Sequence, residues 1–116
     1  MASFRIKGHK YNAKKTKCSA GHNHDSAFEA GYCDTLHFML KTKQIKNVIC
    51  QHKVSLVVNG CLICRHIIDF LVTNNDGLLE FHEVKGYETP DWKLKKALTE
   101  AIYPGIKYIV IKKGKK

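Results

Sequence analysis

The spacing of apolar residues along the chain changes from helical to strand-like near residue 44. Apolar positions recur at intervals of three and four from Phe28 to Leu40, as on one face of a helix. Ser26 and Glu29 have the spacing of a capping box, in which a serine and a glutamate satisfy the first backbone N–H groups of a helix. The pattern therefore predicts a helix that begins after Ser26 and runs to about Lys43.

Beyond this helix, apolar and polar residues alternate, which is typical of half-buried strands. Asn59-Gly60 is a strong signal for a two-residue hairpin, because both residues tolerate a positive φ. A second turn signal lies at residues 74–77. The pattern predicts an antiparallel meander with strands at residues 45–50, 53–58, 61–72 and 78–85.

The second turn also predicts a register. If Asn75-Asp76-Gly77 is a three-residue loop with its glycine in the left-handed conformation, Thr73 pairs with Leu79. Counting along the ladder then places Asp69 opposite Glu83. A slip of one residue would send these two side chains to opposite faces of the sheet.

A second helix and a last strand complete the predicted fold. Thr89-Pro90-Asp91 is typical of a helix start, and Tyr103-Pro104-Gly105 ends that helix. Residues 106–111 are almost continuously apolar, as expected of a strand buried on both faces and paired in parallel after a right-handed crossover. The chain is thus predicted to be one α+β domain over residues 1–116, ordered helix, antiparallel β-meander, helix and strand around a mixed central sheet.

The chain is strongly basic, with 20 Lys and Arg residues against 10 Asp and Glu and a net charge of +10. Such a surface attracts phosphate backbones, so we expect DNA as a partner, although a small basic protein of another kind has the same composition. Residues 1–17 have no apolar period and are predicted to form a basic extended arm, and residues 112–116 form a basic tail. No apolar run is long enough to span a membrane and no secretory signal is present, so a cytoplasmic location is expected.

Asp69, Glu83 and Lys85 form the constellation that best fits a chemical role. Glu83 and Lys85 are two residues apart on a strand and project from one face, beside the predicted position of Asp69. Opposed carboxylates repel each other unless a cation lies between them, and oxygen ligands favour Mg²⁺ or Mn²⁺. The alternative is a buried ion-pair cluster or a solvated sheet face.

These residues resemble the motif of the PD-(D/E)xK nuclease superfamily, which has the restriction-endonuclease-like fold. More narrowly, the chain is similar to small phage-encoded proteins of that superfamily that are catalogued as a domain of unknown function. The resemblance implies that Asp69, Glu83 and the Val84 carbonyl bind the metal, that Glu29 adds a carboxylate that coordinates the metal or orders a water, and that Lys85 is the catalytic lysine. Ile68 stands where the motif has proline. The matching stretches are residues 10–16, 25–30, 69–70, 83–86 and 93–96.

The resemblance implies a metal-dependent DNA endonuclease in a phage context, working in the host cytoplasm. A chain of 116 residues has little surface for reading bases, so structure-directed cutting of branched replication or recombination intermediates is expected, as by a Holliday junction resolvase. Cutting both strands would favour a homodimer. Five lysines are predicted to contact DNA, namely Lys14, Lys15, Lys93, Lys95 and Lys96.

The cysteines and histidines suggest a second metal. The odd number of five cysteines argues against a disulfide framework. Zinc could instead be bound by the group Cys18, His22, His24 and Cys33, and the rival function is a non-catalytic, zinc-stabilised nucleic-acid-binding module. Cys61 and Cys64 have C-x₂-C spacing but lie within a predicted strand. Regular alternation would place His66 and His82 on the face opposite Asp69, and position alone does not assign Gln51 to the site.

Overall fold

A computed structural model of the chain describes residues 16–17, 23–24 and 27–112, with side chains from residue 27 onward. Neither helix of this part of the chain is long and apolar enough to cross a membrane. The elements are β1 (Thr16–Lys17), β2 (Asn23–His24), α1 (Ala27–Lys41), β3 (Asn47–Val58), β4 (Cys61–Thr73), β5 (Leu79–Lys85), α2 (Pro90–Ile102) and β6 (Lys107–Lys112).

The main sheet has four strands in the order β3-β4-β5-β6. The β3–β4 and β4–β5 pairs are antiparallel and the β5–β6 pair is parallel, which confirms the mixed sheet and the α+β class. A short antiparallel pair of strands, β1 and β2, lies where the sequence predicts an arm and a loop. Strands of two residues are too short to produce an alternating pattern. The remainder of the predicted arm, and the tail beyond Lys112, lie outside the described residues.

Both predicted turns are confirmed. Asn59 and Gly60 have φ values of 50° and 80°, as a two-residue hairpin of this kind requires. Gly77 has a φ of 89°, and its N–H donates to the carbonyl oxygen of Asn74 at 2.9 Å. Thr73 pairs with Leu79, so the predicted register of the second hairpin is correct.

Two predictions about strands are wrong. The segments predicted as separate strands at residues 45–50 and 53–58 form one strand, β3, within which Gln51 adopts a positive φ of 54°. The predicted interruption is thus a local change of backbone conformation. The last strand, predicted to be buried on both faces, has only half-buried or exposed residues, because among the described residues β6 lies at the edge of the sheet, with β5 as its neighbour on one side.

Two hydrophobic cores lie on opposite faces of the sheet. The first is under α1 and includes Cys33, Leu36, Phe70 and Val72. The second is under α2 and includes Val54, Leu56, Ile68 and Phe81, with Leu98 and Ile102 of α2 packed against it. The sheet is therefore the central layer between the two helices, and each helix covers its own core.

The β3–β4 hairpin contributes to both cores because its side-chain alternation reverses midway. On β4, Ile68 belongs to the core under α2, whereas Phe70, two residues on, belongs to the core under α1. On β3, Cys50 packs under α1 and Val54 packs under α2. Regular alternation would keep each of these pairs on one face. The reversal coincides with Gln51 on one strand and Asp69 on the other.

Candidate active site

Asp69 lies where strands β4 and β5 separate. The pairing of the two strands runs from Thr73 and Leu79 to Phe70 and His82, and the next pair in this register is Asp69 and Glu83. At this level the Asp69 side chain intervenes, and its Oδ2 accepts the backbone N–H of Val84 at 2.9 Å. A carboxylate thus accepts a backbone N–H as a strand carbonyl would, at the point where the ladder ends.

Glu83 is buried, with only 4% of its surface exposed, yet its carboxylate is well satisfied. Trp92 Nε1 donates to its Oε1 at 2.9 Å, the Tyr108 hydroxyl donates to the same oxygen, and His66 Nε2 lies 3.5 Å from it. Burial raises the pKa of Glu83, but the hydrogen bonds from His66, Tyr108 and Trp92 together hold that pKa below its usual range. Glu83 is therefore kept ionised and fixed in orientation through one oxygen.

The pKa of Asp69 reflects the other charged side chains that lie near it. Burial raises the pKa of Asp69 to about 7, and repulsion from the carboxylates of Glu29 and Glu83 adds to this, against the Val84 N–H and the Lys85 ammonium, which lower it. The structure thus brings Glu29, Glu83 and Lys85 within electrostatic reach of Asp69. An excess of negative charge at a site that is partly shielded from solvent favours the binding of a cation.

Gln51 joins this group, although its sequence position alone does not assign it. Its Nε2 donates to Oε2 of Glu29 at 3.0 Å, and on β3 it lies between Cys50 and His52, whose partners on β4, Phe70 and Ile68, flank Asp69. Glu29 is 94% buried on α1, and Ser26, its predicted capping-box partner, lies outside the described residues. A positive φ at a non-glycine residue in the middle of a strand is a strained conformation of the kind that concentrates at functional sites.

A cleft of about 340 Å³ opens beside Glu83. Three basic side chains line it, from Arg65, Lys85 and Lys95, and Asp91 is also present at its wall. The Lys85 ammonium lies 5.2 Å from the centre of the Trp92 ring, a cation–π distance that holds it near the cleft. The cleft therefore combines a buried carboxylate with several cations, which suits a phosphate-bearing ligand.

The predicted DNA-binding lysines of α2 line two different cavities. Lys95 lines the cleft at Glu83, whereas Lys93 and Lys96 line a larger cavity of about 410 Å³ on another side of α2. Lys96 is also paired with Glu100 at 2.8 Å. Glu83 lines the smaller cleft and not the larger cavity, and Asp69 lines neither of them, so the proximity of Glu83 favours the smaller cleft. Lys14 and Lys15 lie outside the described residues.

The sequence predicts that His66 and His82 both lie on the sheet face opposite Asp69 and Glu83. This prediction is correct for His82 and wrong for His66. His82 does face away, towards α1, where its Nδ1 is 2.6 Å from the Tyr32 hydroxyl. His66 instead lies beside Glu83 and is 2.9 Å from the Tyr108 hydroxyl. The reason is the reversal of alternation at Asp69, which returns His66 to the side that carries Glu83.

The predicted zinc ligands fall into two groups. The side chains of Cys18, His22 and His24 lie outside the described part of the chain. Cys33 lies instead beside His37 and Cys50, and this Cys-His-Cys cluster could bind a metal ion such as zinc. The cysteines with C-x₂-C spacing do not join it: Cys61 is exposed, and Cys64 is packed against the core under α2.

The raised pKa of Asp69 predicts a stability that depends on pH. Because the folded-state pKa of about 7 exceeds the usual 3.8, the contribution of Asp69 to stability is full below pH 3.8 and is lost as the pH rises through about 7. We expect Asp69→Asn to raise the unfolding free energy of metal-free protein by about 2 kcal/mol or more near pH 8, and little near pH 4. Urea unfolding at both pH values measures this, with the exposed Asp91→Asn as control. An equal gain at both pH values would contradict it.

Comparison with known proteins identifies a family for the chain. None of the curated proteins compared with it matches, and none of the solved structures does. A family model described as "Protein of unknown function (DUF1064)" matches residues 8–116, almost the full length. The chain therefore belongs to the DUF1064 family.

Proposed function

We propose that the protein is a metal-dependent DNA endonuclease of the PD-(D/E)xK superfamily. The observation that carries the proposal is that the carboxylates of Glu29 and Glu83 and the Lys85 ammonium all act electrostatically on Asp69, at the point where β4 and β5 separate. Structural ion pairs would match acid to base, but this group holds more acids than bases. The excess is the arrangement that a divalent cation offsets.

The donor atoms suit Mg²⁺ or Mn²⁺. The side-chain donors are carboxylate oxygens, which hard cations prefer. Val84, the residue between Glu83 and Lys85, offers its backbone carbonyl oxygen as a further donor. The hydrogen bonds of Glu83 converge on Oε1, and no described residue donates a hydrogen bond to Oε2. Asp69, Glu83 and the Val84 carbonyl would hold the ion, with Glu29 near it. When bound, such an ion activates water for attack on phosphorus and offsets charge on the phosphate.

Side chains of the protein bind the substrate and offset its negative charge. Lys85 stabilises the additional negative charge that develops on a phosphate during its hydrolysis. Arg65 and Lys95 on the cleft wall bind neighbouring phosphates, and the net charge of +10 attracts DNA to the protein as a whole. Hydrogen bonds from Trp92 and Tyr108 fix the orientation of the Glu83 carboxylate and keep it ionised. These are contacts with the DNA backbone, which fits a nuclease that recognises branched shape in host-cell cytoplasm during phage replication or recombination.

The metal requirement tests this function. Purified full-length protein is incubated with fluorescently labelled four-way junction, forked and linear duplex DNA in Mg²⁺, in Mn²⁺ or in EDTA. We expect cleavage only with a divalent ion and faster cleavage of the branched substrates. Binding to the same DNA in EDTA, followed by gel shift, is expected to persist because the phosphate-binding cations do not depend on the metal.

Two results would overturn the proposal. Cleavage that continues at the same rate in EDTA would remove the metal from the mechanism. Tight DNA binding with no cleavage of any substrate in either ion would instead support a non-catalytic, zinc-stabilised nucleic-acid-binding module.

We further propose that the active form is a homodimer assembled through the end of the β3–β4 hairpin. Four apolar residues there are between 38% and 55% exposed, and exposed apolar side chains in one region are typical of interaction surfaces. They are Val57, Val58, Leu62 and Ile63. Analytical ultracentrifugation tests this: a dimer is expected in the wild type and a monomer in Leu62→Lys, and a wild-type monomer at all concentrations would remove the idea.

A further inference from the structure

A compact cluster of soft metal ligands lies apart from the carboxylates. Cys33 and His37 are four residues apart on α1, so both project from the same face of the helix. Cys50 on β3 packs against that face. The Cys33 sulfur is 3.8 Å from the Cys50 sulfur and 3.4 Å from Nδ1 of His37, and one ligand atom from each residue lies within 4.8 Å of the others.

These separations agree with the edges of a zinc tetrahedron. With Zn–S bonds of about 2.3 Å and Zn–N bonds of about 2.0 Å, tetrahedral angles place two sulfurs about 3.8 Å apart and a sulfur and a nitrogen about 3.5 Å apart. The sulfur–sulfur distance of 3.8 Å matches the first edge, and the sulfur–nitrogen distance of 3.4 Å matches the second when Nδ1 of His37 is the ligand. A disulfide would instead require sulfurs at about 2.05 Å.

The imidazole of His37 can present a nitrogen to a metal in either of its neutral forms. Its Nδ1 also lies 2.9 Å from the carbonyl oxygen of Cys33. With the proton on Nδ1, the ring donates to that carbonyl and Nε2 is the ligand, an arrangement common among metal-bound histidines. With the proton on Nε2, Nδ1 is the ligand. Thiolates and imidazole select Zn²⁺ over Mg²⁺ and Ca²⁺, so this donor set is chemically distinct from the carboxylate group.

We propose that Cys33, His37 and Cys50 bind one Zn²⁺ ion that ties α1 to β3. Three protein ligands leave one tetrahedral position for a further donor. The Cys33 side chain is completely buried and the other two are half-buried, so the ion is screened from solvent as structural zinc usually is. Zinc binding then contributes directly to the stability of the folded chain.

The location gives the zinc a consequence for the carboxylates, and this consequence rests on the proposed nuclease function. Glu29 is one helical turn before Cys33, and Gln51 directly follows Cys50. The hydrogen bond from Gln51 to Glu29 therefore joins the same helix and strand that the zinc would join. The ion fixes the distance between the two elements beside the site and so positions Glu29.

The test measures metal content directly. Full-length protein purified without chelator is examined by elemental analysis, with Cys50→Ser and His37→Ala as site variants and the exposed Cys61→Ser as the matched control. We expect about one zinc per chain in wild type and in Cys61→Ser. In the site variants we expect zinc content, and affinity in competition with a chromophoric chelator, to fall at least about tenfold. Zinc removal is expected to lower Tm by about 5 °C or more in wild type.

Cobalt provides a second readout that does not depend on how well a variant retains zinc. Co²⁺ added to the metal-free wild type is expected to give a thiolate-to-cobalt charge-transfer band, which weakens in Cys50→Ser protein that circular dichroism shows to be folded. Wild type that neither contains zinc nor produces this band would overturn the proposal, as would equal zinc content in the two site variants and the wild type. A Cys33–Cys50 disulfide found by intact mass without reductant would also overturn it.

Failure of this proposal can be told from failure of the nuclease proposal. Glu83→Gln is expected to retain its zinc in full, whether or not the wild type cleaves DNA. A zinc-containing protein without nuclease activity would leave the zinc site standing, and a nuclease without zinc would remove only the zinc site.

Discussion

Replacing Asp69 or Glu83 by its amide is expected to slow DNA cleavage by at least about 1,000-fold while DNA binding persists. Asp69→Asn and Glu83→Gln keep the size of each side chain and remove the negative charge that would hold the cation. The Asp69 amide oxygen can still accept the Val84 N–H, and the Glu83 amide oxygen can still accept from Trp92. Loss of rate in these variants therefore reports charge and not collapse of the site.

Single-turnover cleavage of a labelled junction in Mn²⁺ measures the effect, and gel shift in EDTA measures binding. Asp91→Asn is the matched control, because Asp91 is an exposed acid on the wall of the same cleft and has no place in the carboxylate group. We expect this variant to stay within about threefold of the wild-type rate. Wild-type rates in both Asp69→Asn and Glu83→Gln would exclude the carboxylates as the catalytic centre.

Trp92→Ala is expected to lower the unfolding free energy by about 3–5 kcal/mol. Trp92 is 94% buried, so truncation leaves a cavity between α2 and the sheet. The change also removes the indole N–H that donates to Glu83, a charged group that remains buried. The two losses act together at the junction of the helix with the site.

Trp92→Phe separates packing from hydrogen bonding. Phenylalanine retains most of the apolar volume and lacks the N–H, so we expect a smaller loss of about 1–2 kcal/mol with a marked fall in cleavage. Chemical denaturation followed by circular dichroism measures both variants, and cleavage is compared under conditions where each is folded. Equal losses of stability in Trp92→Ala and Trp92→Phe would mean that the hydrogen bond, and not the aromatic volume, holds α2 in place.

Local features of this fold could be predicted from sequence because short-range chemistry determines them. Asn59-Gly60 and the loop ending at Gly77 require positive φ values, and these residue types adopt them readily. The helix α2 begins where predicted, and Thr89 caps it, its side chain accepting the N–H of Trp92 at 3.1 Å. Once the second turn is known, the pairing of Thr73 with Leu79 follows by counting.

The surroundings of Glu83 could not be predicted in the same way. Trp92 and Tyr108 reach it from α2 and β6, and no local pattern encodes which side chains a later helix and strand bring to an earlier residue. Gln51 gave no signal either, because glutamine has no preference for the left-handed conformation that it adopts. The error over His66 has the same origin, since a period of two assumes a strand without a reversal.

The reversal at Gln51 and Asp69 makes the β3–β4 hairpin a single ribbon shared by two otherwise separate interiors. Shifting the ribbon by one residue to suit the α2 side would withdraw Phe70 and its neighbours from the α1 side. Neither core can therefore be repacked without the other. The packing of both cores fixes the residues at which the side-chain alternation of the hairpin reverses. A packing defect under either helix should therefore be transmitted to the Asp69 carboxylate, so that substitutions far from Asp69 can displace its side chain.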